Sequence, residues 1–369
     1  MISAKWITNR NFDLLWYAGA AVTSYFMIYL NVALGVSALL LWWFWIVSVD
    51  GPHVFATISR TYLDTEERHG RARLLLGSLL WFLAGPACIA IAILARVPVI
   101  FFTFLTFAQL WAYWHVVRQH YGFMVLYEKK NGEPAGKSNP IDYYTFYILM
   151  LVPFVSFLLR HPQARQEFGL NPLMSQPENY IVLFLHGVII LTILFYAYQQ
   201  VVAKTINVPK NLFLLACIPL HLLIFLHPYI STHVDLRLFA VFVTFYHNIQ
   251  YQGIVWFYNR NRYHKPDANI YGPAASVSRN FLTYYACGIL FTIIYRYSNW
   301  FFIGLKVPFS GGPNAISNMS IGGLFTIADL AVGFWWGFAF NHYYLDQKIW
   351  KVSKDRRLSN DLQLAPVTS

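Results

Sequence analysis

Apolar residues in this chain run rather than alternate. A bilayer-crossing helix needs about 20 predominantly apolar residues. Stretches of that kind predict ten helices, at 12–30, 33–59, 74–95, 97–120, 142–160, 180–203, 211–229, 234–257, 280–302 and 319–345. The expected fold is all-α: a polytopic integral membrane helical bundle of about ten transmembrane helices, with 1–350 as a single transmembrane domain and 351–369 as a short basic cytoplasmic tail. Leu14 to Val49 is nearly unbroken, and it makes two helices only if the chain turns near Asn31. Met1 to Arg10 is polar and no A-x-A-like site follows the first apolar run, so the first span is expected to be retained. Two loops, Glu128–Ile141 and His161–Asn179, contain Pro, Gly and Asn and favour irregular structure.

Composition sharpens this picture. The 369 residues are 57% hydrophobic, 19% aromatic and 12% charged, which excludes a disordered chain, a coiled coil and an ordinary soluble domain. A net charge of +11 suggests an anionic partner, but the basic residues sit at the ends of hydrophobic segments rather than in one block, so no nucleic acid is expected. With ten spans, 21 of the 27 Lys and Arg fall on the side holding both termini and 6 on the other. Short cytoplasmic loops carry the excess of positive charge. Both termini are therefore expected in the cytoplasm, in a multi-pass protein of the bacterial inner membrane or an equivalent. Cys88, Cys217 and Cys287 are dispersed in apolar runs and read as small core residues.

Polar residues within such helices are costly, about 2.5–3.5 kcal/mol for a charged group at mid-span on the insertion scale. Four clusters stand out: Asp50-Gly-Pro-His53 through Thr57 to Arg60, Trp114-His115 through Arg118-Gln119-His120 to Gly122, Tyr246-His247-Asn248-Ile-Gln250-Tyr251-Gln252, and Asn341-His342 to Asp346. They lie toward the C-terminal ends of the second, fourth, eighth and tenth predicted helices. In the expected topology these run the same way, so the clusters share one layer in the cytoplasmic part of the bilayer. At roughly 100° per residue, Asp50, His53, Thr57 and Arg60 cover about 80° of one helix, and His115, Arg118, Gln119 and Gly122 about 100° of another.

Neutral imidazoles from several helices can close on one ion, and a ligating imidazole usually gives its other N–H to a carboxylate or amide. The expected metal residues are His53, His115, His247 and His342, with Asp50 and Asp346 as orienting groups or ligands. His120, about 140° from His115, is a further candidate. Arg118, Gln119, Gln250 and Tyr251 are the expected substrate or supporting contacts. Imidazole with carboxylate suits iron, and also zinc or manganese. The alternative for the histidines is that they are interfacial residues bonded to head groups or water. His221, in an otherwise apolar run, reads as a hydrogen-bonded core residue. Asp329, near the middle of the last predicted span, reads either as functional or as a helix-to-helix hydrogen bond.

In its many spans, single histidine layer and aromatic content the chain resembles histidine-ligated integral membrane oxygenases: acyl-lipid desaturases, alkane hydroxylases and bacterial carotene-cleaving enzymes. The desaturase boxes HxxxH and HxxHH are absent and no carotene-cleaving motif is matched, so no residue role is carried over. The expected function is a metal-dependent membrane oxidoreductase or oxygenase acting on a lipophilic substrate and supplied by an external electron donor. Aromatic runs such as Trp42 to Trp45 and Phe334 to Phe338 are candidate walls for a long apolar substrate. Two alternatives are a proton-coupled transporter using the His, Asp and Arg residues as a relay, and a protein binding haem between histidine pairs.

Overall fold

The computed structural model describes residues 2–170, 177–265, 268–301 and 319–364. Parts of the expectations lie outside them: residues 171–176 of the loop 161–179, the last residue of the helix 280–302, residues 1, 266–267 and 302–318 of the domain 1–350, and residues 365–369 of the tail.

Among the described residues the fold is all-α, with ten principal helices. They are α1 (Ala21–Val32), α2 (Ala38–Arg60), α3 (Ala72–Ala95), α4 (Val99–Asn131), α5 (Pro140–Arg160), α6 (Tyr180–Val202), α7 (Val208–Leu226), α8 (Leu236–Tyr263), α9 (Phe281–Phe301) and α10 (Ile327–Ile349). Six of them, α2 to α7, are long and apolar enough to cross a membrane, as expected of an integral multi-pass membrane protein. The remaining regular structure is short helices and two pairs of two-residue strands, Ile2–Ser3 with Ile206–Asn207 and Ser320–Ile321 with Phe325–Thr326.

Several boundaries differ from those read off the apolar runs. The chain does turn after Asn31: α1 ends at Val32, Gly35 takes a left-handed φ of 68°, and the Asn31 side-chain amide donates to the Val36 carbonyl at 2.9 Å. The helix expected over 12–30 is interrupted by a wide turn at Leu14–Ala18. α4 continues past its apolar stretch to Asn131, because Glu128-Lys-Lys are good helix formers once the chain is helical. Glu128 is therefore helical, and the loop expected from that residue starts later. α10 begins at Ile327, eight residues after the expected start, which places Asp329 in its first turn. The Asp329 carboxylate accepts the Thr326 backbone N–H at 2.8 Å, and Thr326 Oγ1 accepts the Asp329 N–H at 3.3 Å, a reciprocal capping box. The mid-span reading of Asp329 is thus corrected to a helix cap.

The chain divides into two compact units. The first comprises Met1–Trp45, Trp114–Gly253 and Leu362–Ser369. In it α5 packs on α6 and α7, and the strand pair joins the N-terminus to the start of α7. The buried side of residues 114–131 of α4 carries Val116, Val117, His120, Phe123, Met124 and Tyr127, the spacing of one helical stripe.

The second unit comprises Ile46–Tyr113 and Ile254–Asp361. Here α10 lies against α3 at a glycine contact. A Cβ on Gly85 would meet the Gly333 backbone at 2.3 Å, and one on Gly337 would meet the Phe82 Cα at 2.5 Å. Small residues let helix backbones approach this closely. A second close contact joins α9 to α2, where a Cβ on Gly288 would meet Pro52 at 2.9 Å. Ile89, Phe101, Phe104, Phe325 and Phe340 form the core beside them. These two contacts fix α2 and α10, the helices that carry His53 and His342.

Candidate functional site

Within the second unit, His53 on α2 and His342 on α10 are 4% and 1% exposed, and their Nε2 atoms are 2.8 Å apart. The rings meet edge to face, with centroids 4.5 Å apart. Thr57, one turn beyond His53, has its Oγ1 2.7 Å from His342 Nδ1 and 2.7 Å from Asp346 Oδ1. A hydroxyl has one proton, and an ionised carboxylate can only accept. The Thr57 hydroxyl therefore donates to Asp346, and His342 Nδ1–H donates to Thr57. This assigns the proton of His342 to Nδ1 and leaves its Nε2 lone pair directed at His53. Asp346 Oδ2 is 3.7 Å from the same Nε2.

Asp50 sits one turn before His53 and is ion-paired at 2.5 Å with Arg296 of α9. The Arg296 guanidinium also lies over the rings of Tyr295 and Trp335, at 4.6 and 4.3 Å. Arg60, on the same polar face of α2, is buried between Tyr258 and Trp350, at 4.1 and 4.0 Å. Arg296 belongs to the site and is missed by sequence reasoning, which counts it only as an outer-side charge. The available signal is an arginine within an apolar helix.

The first unit holds a different group of histidines. Ring nitrogens of His115 on α4 and His247 on α8 come within 4.8 Å of each other, with ring centroids 5.3 Å apart. His120 is fully buried, stacked on Tyr246 at 4.8 Å, with His247 and His221 at 5.7 and 5.8 Å. His221 bonds the Cys217 carbonyl through Nδ1 at 3.0 Å, as expected of a core residue. Gln119 donates to the His247 carbonyl at 2.8 Å, and Gln250 donates to the Tyr17 carbonyl at 2.5 Å. Tyr251 is buried.

The polar face assigned to α4 needs correction. Arg118 and Gly122 are exposed, and Arg118 donates to Tyr147 Oη at 2.5 Å and lies over Tyr121 at 4.8 Å. His120, which the helical wheel turns away from His115, is on the buried side. The apolar stripe decides which side faces the core, and on α4 it selects His115 and His120 but not Arg118.

His53, His115, His247 and His342 are thus all buried, and their imidazoles are able to serve as metal donors. No family model matches the chain, and no curated protein or solved structure matches it either.

Proposed function

We propose that the protein is a metal-dependent integral membrane oxidoreductase acting on a lipophilic substrate, with iron as the metal. The centre in this reading is built on His53 and His342 with Asp346 in the second unit, and His115 and His247 are a separate pair of candidate donors in the first. One observation carries it: a buried imidazole whose tautomer is set by a hydroxyl and a carboxylate, with its Nε2 lone pair 2.8 Å from a second imidazole nitrogen. Metal-bound histidines are oriented through their other ring nitrogen in this way.

The donor set bears on the kind of centre. Imidazole with carboxylate suits iron, and also zinc or manganese, and of these iron would supply the oxidative chemistry. Without a metal, the 2.8 Å between the two Nε2 atoms is a plain hydrogen bond from His53 Nε2–H, and a bound ion would take the place of that proton.

The bound ion would supply O₂ activation at positions the protein leaves open. Thr57 and Asp346 hold the His342 ring. The Asp50–Arg296 pair anchors α2 one turn from His53. Electrons would come from an external donor.

A second reading, a proton-coupled transporter, draws on the Asp50–Arg296 pair, since an ionisable pair at a candidate span is a usual mark of a proton relay. One experiment separates the two. Purified protein in liposomes of the host's lipids is given Fe(II), O₂ and a chemical reductant, and the lipid fraction is analysed by mass spectrometry. The oxidoreductase reading expects O₂ uptake and oxygenated or desaturated lipid, both lost in His342→Ala. Solute flux without any chemical change would instead establish the transporter.

A further inference from the structure

The second unit contains a pocket of about 180 Å³ beside His342 that the proposed metal chemistry does not itself account for. Its walls come from α2 (Val54, Thr57, Ile58), α3 (Leu79, Phe82) and α10 (Phe338, Asn341, His342), with Tyr62 at one side. It holds no charged side chain. Several of its polar groups are already engaged: Asn341 Nδ2 donates to Tyr62 Oη at 2.7 Å and to Ser78 Oγ at 3.0 Å, and Thr57 is committed to His342 and Asp346.

The pocket also has a direction. Val54, Thr57, Asn341 and His342 are buried, whereas Leu79 is 43% exposed. Leu79 belongs to α3 and Ile58 to α2, both long and apolar enough to cross a membrane, and with these helices as spans the open end would face hydrocarbon. Apolar cavities of about 150 Å³ stay dry and take up a benzene-sized guest. One of 180 Å³ has room for part of a single hydrocarbon chain and not for a whole lipid.

We propose that this pocket is a binding slot for one hydrocarbon chain, acyl or isoprenoid, which enters sideways from the bilayer past Leu79 and ends against Thr57 and His342. Any charged head group stays at the membrane surface. The inference deepens the oxidoreductase reading and rests on it for the claim that the chain is substrate. Occupancy of the slot by hydrocarbon is tested separately.

The probe is stearic acid carrying a diazirine at its methyl end, photolysed with the full-length protein in detergent micelles, with labelled peptides mapped by mass spectrometry. Label is expected on Val54, Phe82 or Phe338. Excess unlabelled stearic acid should displace it, and Leu79→Trp or Ile58→Phe should lower it by about tenfold, the usual penalty for a misfit in an apolar pocket. Leu191→Trp, on an exposed face of the first unit, should leave it unchanged. Label confined to exposed positions such as Leu83 and Leu215, or label in the slot that neither competitor nor variant reduces, would overturn the proposal. Competition in the wild-type protein separates these outcomes even if a variant fails to fold. Metal content is measured on the same preparation. Label without metal keeps the slot and removes the oxidoreductase reading, and metal without label does the reverse.

Discussion

The two units each bury a group of histidines, and the groups are held in different ways. In the second unit the His342 ring is held by a side-chain hydroxyl and a carboxylate, and its Nε2 lone pair faces His53. In the first unit, apart from the candidate donors His115 and His247, the rings are held by stacking and by a main-chain carbonyl: His120 on Tyr246, and His221 on the Cys217 carbonyl. A carboxylate behind an imidazole raises its basicity and makes it a better metal donor. Stacking on a neighbour ring and bonding to the previous turn makes a histidine a good core residue. Burial and residue type are the same in both groups, so what separates a candidate ligand from a packed histidine is what the other ring nitrogen touches.

The contrast between the groups is most vulnerable at His342. Its replacement by Ala should abolish iron binding, seen as loss of most of the metal from purified protein by elemental analysis. Retention of a full complement of metal would place the centre elsewhere. Next in size is Asp50→Asn, which leaves Arg296 buried without its counter-charge. Breaking a buried pair in this way costs about 3–5 kcal/mol, and the loss should appear as a large drop in the unfolding midpoint. Partial recovery in the double variant Asp50→Leu with Arg296→Met would confirm that the pair, and not the aspartate alone, is at issue.

Asp346→Asn should weaken iron affinity about 10- to 100-fold while leaving the fold intact, the usual effect of removing a ligand's supporting carboxylate. Competition with a chelator measures it. Thr57→Val should act in the same direction, because Thr57 connects Asp346 to the ring. Least is expected of His221→Phe, which should leave metal content unchanged and cost about 1–2 kcal/mol for the hydrogen bonding lost to the Cys217 carbonyl and Tyr246 Oη. A marked loss of metal in that variant would erase the distinction between a ligand histidine and a packed one.

Much of this is legible in the sequence. Long apolar runs place the helices because the bilayer demands them, and the polar clusters point to His53, His115, His247 and His342 because each interrupts such a run. The turn after Asn31 is also visible there. What the sequence conceals depends on which helices meet. Thr57 is one polar residue among several on α2; its role comes from α10, 285 positions away. Arg296 enters only as one of the six Lys and Arg on the side away from the termini, because its partner, Asp50, lies 246 residues earlier. On α4 a wheel oriented by its polar residues brings Arg118 inward and sends His120 out, whereas burial follows the apolar stripe. Asp329 is misplaced because apolarity continues upstream of Ile327 and hides the cap that starts α10.

Whether histidine holds a metal in this protein is decided by the metal content of the wild-type chain, purified in detergent under anaerobic conditions with Fe(II) present, read together with its optical spectrum. At least about one bound iron per chain is predicted, by analogy with histidine–carboxylate sites, with no haem Soret band. Metal near zero, unchanged when His53 or His342 is replaced by Ala, would contradict this and leave the 2.8 Å contact as a hydrogen bond between two core histidines.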